Sequence, residues 1–303
     1  MGSRKYNGKV ILFGEYSMIF GSNALLIPHY SVGGEWNFII DKPCERSSES
    51  NRNLLKYFNY LNDNEIFKIL DLKRMEIEIN DGLFFDSNIP NGYGVGSSGA
   101  LVAAIYDRYK LTEIQETDKL IEFLAAMENY FHGSSSGIDP LQCYLGKPFI
   151  LNGQPTTNNR QQILEHDFLS KNIHIFLIDT KITSPTAPLV KKFKEMRNDD
   201  SYLEKFNNKY IPLVNDCISS LIEKNDKIFF KMLLQLSEMQ VEMLSHTIPD
   251  NVKEFFFFDI NKNGFQVKLC GAGGGGFLLG FTNKVNETNN YLQHSDYQIS
   301  WIK

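Results

Sequence analysis

The chain has 303 residues, room for one large or two ordinary domains, and its 42% hydrophobic and 22% charged content is that of a globular protein. A formal net charge of −5 gives no footprint for nucleic acid or an anionic membrane, so an anionic substrate must be held by local lysines, backbone amides and metal. No apolar run approaches the roughly 20 residues of a membrane span, and a soluble protein is expected. Cys44, Cys143, Cys217 and Cys270 lie far apart without a C-x-x-C pair, which suits reduced thiols. The N-terminus lacks the apolar core of a signal peptide, and Tyr6 stands where myristoylation wants Ser or Thr. Cytoplasm is the expected compartment.

In chain order, Lys9 to Phe13 reads as a short apolar strand ending at Gly14, where the chain turns and presents Glu15. Lys9 fits either a solvated strand start or a site facing the turn. Ala24 to Ile27 is a second strand, closed by Pro28. Residues 41–53 are polar and read as a surface loop, followed by a helix over 54–70 with Leu54, Leu55, Phe58, Leu61 and Ile69 at helical intervals. Residues 75–80 alternate strictly, so the spacing predicts a half-buried strand and a hairpin turn at Asp81-Gly82 leading to Leu83-Phe84-Phe85.

Residues 89–104 carry the most information. Gly92, Gly94, Gly96 and Gly99, the paired hydroxyls of Ser97 and Ser98, and an alanine-rich helix start are crowded together. Glycines let the backbone approach a ligand, and the first N–H groups of a helix lack intrahelical partners, so the stretch reads as an anion cradle with either serine as cap. A ligand-free capping turn is the alternative. The P-loop pattern fails because Gly-Lys-Ser/Thr is missing, and G-x-G-x-x-G is met only after a loop-like segment instead of a strand.

Residues 118–131 form a second helix, capped by Thr117 or Asp118, with Leu120, Phe123, Leu124, Met127 and Phe131 on one stripe. Glu128 lies beside that stripe, and a Gly/Ser loop follows from His132 to Asp139-Pro140. Two carboxylates flanking such a loop suit metal holding and base chemistry, or else a solvated helix glutamate and an Asp-Pro turn; His132 reads as structural. Residues 149–151 and 173–178 are strand-like, separated by a polar, linker-like segment over 152–162, and 179–186 is a hydroxyl-rich loop. Residues 202–246 are helical with a break at Asn225-Asp226, and the aromatic run 255–258 reads as buried. Strand 267–270, six residues Gly271-Ala272-Gly273-Gly274-Gly275-Gly276, and strand 277–281 follow, which points to close backbone approach.

Three separated elements, Lys9 with Gly14-Glu15, residues 90–100 and residues 271–276, resemble in order and spacing the motifs of the GHMP kinase superfamily. Pro90 to Ala100 matches P-x-x-x-G-L-G-S-S-A-A with Val95 for Leu and Gly99 for the first Ala. Within the superfamily the patterns K-x-I-L-x-G-E-H and E-x-x-x-H-G-x-x-S-G-x-D of the mevalonate kinases are met by Lys9, Ile11, Leu12, Gly14 and Glu15, and by Glu128, His132, Gly133, Ser136, Gly137 and Asp139. Tyr16 replaces the usual His, Ser135 a common Pro, and Cys270 the Thr before the last glycine loop.

The resemblance implies an α+β fold of two domains. An N-terminal domain similar to ribosomal protein S5 domain 2 would span 1–182, and a ferredoxin-like α+β domain 183–303, with the active site between them and the last strand, 297–302, returning to the first. It implies phosphorylation of the primary hydroxyl of mevalonate, with ATP as donor and Mg2+ as metal. The alternatives are another small alcohol (phosphomevalonate, homoserine or a sugar) or a non-catalytic ligand sensor. Asp139 and Lys9 would be catalytic, and Gly92, Gly94, Val95, Gly96, Ser97, Ser98, Gly99, Gly273 and Gly274 would bind ATP. Ser98, with Ser97 as the other candidate, and Glu128 would hold the metal. Glu15, Tyr16, Thr186 and Gly275 would meet the substrate. The implied partner is a small-molecule alcohol, with a homodimer as the candidate assembly and no nucleic acid or membrane.

Overall fold

A computed structural model gives the structure of the protein, and it describes residues 4–40, 42–153, 161–165, 167–183, 186–196 and 198–302. The elements run β1 (Tyr6–Phe13), β2 (Ala24–Phe38), α1 (Glu45–Asn62), α2 (Leu72–Asn80), β3 (Leu83–Ser87), α3 (Ser97–Tyr109), α4 (Thr117–His132), α5 (Ile138–Leu145), β4 (Phe149–Leu151) and β5 (Gln161–Ile163). They continue as β6 (His174–Asp179), α6 (Thr186–Met196), α7 (Asp200–Lys205), α8 (Ile211–Ile222), α9 (Asp226–Met243), α10 (Ile260–Asn263), β7 (Gln266–Leu269), β8 (Phe277–Thr282), α11 (Val285–Gln293) and β9 (Gln298–Trp301). Among the described residues no helix is long and apolar enough to cross a membrane.

Two compact units emerge. The first holds the chain up to Lys9, Pro28–Asn91 and Val95–Gly146; the second holds Val10–Ile27, Gly92–Gly94 and Lys147 onward. The division cuts β1 and β2 part-way, and the boundary expected at 182/183 lies inside the second unit.

In the first unit, the distal half of β2 pairs antiparallel with β3, Gly34 opposite Ser87 through Phe38 opposite Leu83. Helix α1 covers β3 and α2, and α3, α4 and α5 pack on one another. Their contact faces are apolar, with Leu124 and Met127 of α4, Ala103 and Tyr106 of α3, and Leu141 of α5 buried, the stripe that helical periodicity predicts. In the second unit, Ala24 to Leu26 of β2 pair with β4, which pairs with β5. A four-stranded antiparallel sheet in the order β7-β8-β6-β9 packs against α9, and α9 against α8. Phe13, Phe229 and Phe281 form an aromatic contact in that core, and the Asn225 side chain caps α9 where the break was expected.

Several expectations are corrected. Residues 75–80 form helix α2 instead of a strand, because the Asp71 side chain caps Arg74 N and because Met75 and Ile79, four apart, are buried while Ile77 is 53% exposed. With α2 helical there is no hairpin, and β3 pairs with β2. The polar stretch before residue 54 is not all loop, since Cys44 caps a helix that starts at Glu45 and ends at Asn62. Strand β2 does not close at Pro28 but runs on to Phe38. The linker-like segment ends in β5, residues 154–160 of it lying outside the described residues. Helix α4 begins after Glu116 with no side-chain cap, and Phe257 of the aromatic run is 55% exposed. Apart from these corrections, the last strand, β9, pairs with β6, which lies inside the expected 1–182 span and in the second compact unit.

Candidate active site

Lys9, Glu128 and Asp139 gather in the first unit. Lys9, on β1, is buried, and its Nζ lies 2.9 Å from Asp139 Oδ2. Two backbone features hold it there. Lys9 N donates to Val95 O at 2.9 Å, and a Cβ on Gly96 would stand 2.8 Å from Lys9 Cγ, at a φ of 87° that glycine alone adopts at no cost. Gly96 is the N-cap of α3 and brings no side chain to the first turn. Neither serine caps the helix, contrary to expectation, since both lie inside its first turn.

Helix α3 approaches α5 backbone to backbone, because a Cβ on Gly99 would lie 2.9 Å from the carbonyl carbon of Asp139. That approach brings the Asp139 end of α5 against the start of α3. Asp139 itself is one-third exposed, so its carboxylate can meet a ligand while paired to a buried cation.

Glu128 comes from α4 and is buried. Its Oε1 accepts from Ser98 Oγ at 2.8 Å and its Oε2 from Ser135 Oγ; Ser98 Oγ also lies 3.0 Å from His132 Nε2. Burial, and next the charge of Asp139, push the Glu128 carboxyl up to about 7, against the pull of the two hydroxyls and Lys9. A buried carboxylate in that state is one whose charged form a cation would rescue. Among the described residues no group of three or more His, Cys, Asp or Glu forms a metal cage. The chain therefore offers a divalent ion one carboxylate and one hydroxyl, both hard oxygens, and this set suits Mg2+ that keeps water and phosphate oxygens as its other ligands.

His132, expected as a structural motif residue, and Ser135, not expected as a site residue, complete this cluster. The E-x-x-x-H spacing was the available signal for His132, since i and i+4 share a helix face. For Ser135, two residues past Gly133, the C-cap of α4, nothing local marked it.

The remaining expected residues lie in the second unit. Gly92 and Gly94 belong to the tip of the first glycine loop, where the Tyr93 ring sits 4.9 Å from Phe277 and a Cβ on Gly276 would stand 3.2 Å from Tyr93 backbone. The tip thus lies against the second glycine loop. Gly274 N donates to Thr247 O at 2.5 Å and Gly276 N to Ile182 O at 2.6 Å, so these two amides are committed to the protein. Glu15 is buried in an ion pair with Lys268, which was not expected, and the Tyr16 hydroxyl donates to Ala272 O at 2.6 Å. Thr186 opens α6 but its side chain, like Ser184 and Pro185 before it, lies outside the described residues.

Residues 55–147 match the family model described as GHMP kinases N terminal domain. The mevalonate kinase of Archaeoglobus fulgidus is 25% identical over 285 residues, 90% of this chain and 89% of that protein. Among solved structures, the mevalonate kinase of Methanococcus jannaschii superposes with a TM-score of 0.66 at 20% identity, covering 99% of this chain and 97% of that one. The phosphomevalonate kinase of Streptococcus pneumoniae gives 0.63 at 13% identity, covering 99% and 98%. Residues 55–147, which carry Ser98, Glu128 and Asp139, match the N-terminal domain of the GHMP kinases, and the α+β fold of the mevalonate and phosphomevalonate kinase structures is matched from end to end.

Proposed function

We propose that this kinase transfers the γ-phosphoryl group of ATP, with Mg2+, to the primary hydroxyl of mevalonate, giving 5-phosphomevalonate for isoprenoid precursor synthesis. The observation that carries the chemistry is the Lys9–Asp139 pair at 2.9 Å on the same unit as the α3 N-terminus and the Ser98–Glu128 hydrogen bond. The choice of acceptor is supported by the likeness to the A. fulgidus mevalonate kinase along nearly the whole chain.

In this reading, the acceptor oxygen attacks phosphorus, the bond to the β-γ bridging oxygen breaks, and ADP leaves with that electron pair. Orientation and electrostatics are the protein's contribution. Asp139 orients the acceptor hydroxyl and takes its proton, and Lys9, paired with it, faces the transferring group. Backbone amides from Val95 to Ser98, at the positive end of α3, hold the ATP phosphates, and Gly92, Gly94, Gly99, Gly273 and Gly274 are further candidates for ATP binding. Ser98 and Glu128 hold Mg2+, which neutralises phosphate charge when bound. Glu15, Thr186 and Gly275 serve the acceptor side. The free thiols of Cys44, Cys143, Cys217 and Cys270 fit a cytoplasmic enzyme.

Phosphomevalonate is the second reading, since the fold of the S. pneumoniae enzyme is matched almost as well. ATP turnover on a panel of mevalonate, phosphomevalonate, homoserine and galactose separates them. Mevalonate should give the highest kcat/KM, and preference for another alcohol would reassign the acceptor.

A further inference from the structure

Tyr16 stands where the mevalonate kinase pattern has a histidine, and its conformation is unusual. It holds φ at 60°, a region that a bulky L-residue rarely adopts and that persists only where the surroundings impose it. Two contacts impose it here. The ring packs on Phe193 at 4.6 Å between centroids, and the hydroxyl donates to Ala272 O at 2.6 Å, inside the second glycine loop. Burial, followed by the charge of Glu15, holds the phenol far above its ordinary range, so it stays a donor.

The neighbouring residue acts on the same loop from below. Glu15 accepts from Lys268 Nζ, which also donates to Leu269 O, and both side chains of the pair are buried. Lys268 and Leu269 are the last residues of β7, directly before the loop. The turn after β1 therefore grips the loop stem through Glu15 and its second residue through Tyr16. The far end is fixed separately, by Gly274 N on Thr247 O and Gly276 N on Ile182 O.

We propose that Tyr16 is a positioning residue for the Ala272–Gly274 part of the glycine loop, acting on the nucleotide side of the reaction and not as a contact to the acceptor alcohol. The inference rests on the kinase reading and on the assignment of Gly273 and Gly274 to ATP. A hydroxyl whose proton is donated to a loop carbonyl cannot donate that proton to a substrate, and losing it leaves the carbonyl without its protein donor.

The test is Tyr16→Phe, which keeps the ring on Phe193 and removes only the donor, with Tyr16→His as companion because the shorter imidazole does not span the same distance. Three quantities are measured for each variant and wild type. They are the Kd of a fluorescent ADP derivative without turnover, the KM values for ATP and mevalonate, and amide hydrogen exchange in the peptide spanning residues 271–276. Both variants should weaken nucleotide binding and raise the KM for ATP by about 3- to 10-fold, leave the KM for mevalonate within about twofold, and speed exchange in that peptide. A raised KM for mevalonate with unchanged nucleotide affinity would overturn the proposal, as would unchanged exchange in the loop. Wild type that binds nucleotide but phosphorylates no alcohol would sink the kinase reading instead, while the nucleotide and exchange readouts would still decide the role of Tyr16.

Discussion

Lys9 and Asp139 are unequal partners, one buried and one a third exposed, and that inequality sets what each variant should do. Asp139→Asn removes the proton acceptor and leaves the Lys9 ammonium buried beside a neutral amide, so kcat should fall by at least about 100-fold and stability by roughly 1–3 kcal/mol. Lys9→Met leaves a carboxylate that water can still reach, so kcat should fall comparably with a smaller change in Tm. Steady-state kinetics and thermal melts of both variants check this. Near-normal turnover in both would remove the assigned roles.

Glu128 gives a pH prediction with a definite sign. Its folded pKa of about 7 lies above the ordinary carboxyl value, so between the two the native state holds a proton that the unfolded state has lost. Stability of the metal-free protein then falls as pH rises through that window, the slope being set by the difference in bound protons. The Tm of the apoprotein should drop between pH 5 and pH 7.5 more steeply in wild type than in Glu128→Gln. Equal slopes would contradict the account. Added Mg2+ and nucleotide should reduce the drop in wild type by favouring the charged carboxylate.

At the scale of elements, the site depends on how closely α3 and α5 approach. A Cβ at Gly99 would meet the Asp139 carbonyl carbon at 2.9 Å and Pro140 N at 3.0 Å, both backbone atoms that cannot swing away. Gly99→Ala should therefore push the start of α5, lowering stability by about 1–3 kcal/mol and kcat by tenfold or more as Asp139 is displaced. Wild-type kcat and Tm in that variant would show that the helices separate freely. The superfamily pattern has Ala at this position, where this chain has Gly99.

The elements also show which signals the sequence carries. Helices α3, α4 and α9 are long enough for their apolar stripes to outvote other periods. Residues 75–80 are too few: an alternating six-residue run fits a strand, yet Asp71 as cap and the Glu78 pairs with Arg74 and Arg108 settle the helix. Pro28 reads locally as a stop because proline cannot donate to a ladder, a local rule that does not see a 15-residue strand running on past it. Lys9, Ser98, Glu128 and Asp139 were legible because motif spacing names them. The contacts of Ser135 with Glu128 and of Lys268 with Glu15 emerge only when the loop after α4 folds back on Glu128 and β7 buries a lysine opposite Glu15.

For the whole molecule, the superfamily fold was legible from three motifs in order, while the two compact units were not. The first unit is assembled from three separate stretches of chain, and no local change of composition marks where β1 and β2 pass out of it. Fold alone also leaves the acceptor open, since mevalonate and phosphomevalonate kinases match almost equally. The most direct test is ADP release from ATP and Mg2+ in the presence of (R)-mevalonate, with the product identified by phosphorus NMR. The account predicts stoichiometric 5-phosphomevalonate and ADP, abolished in Asp139→Asn. Mevalonate left unphosphorylated while another alcohol of the panel is turned over would contradict it.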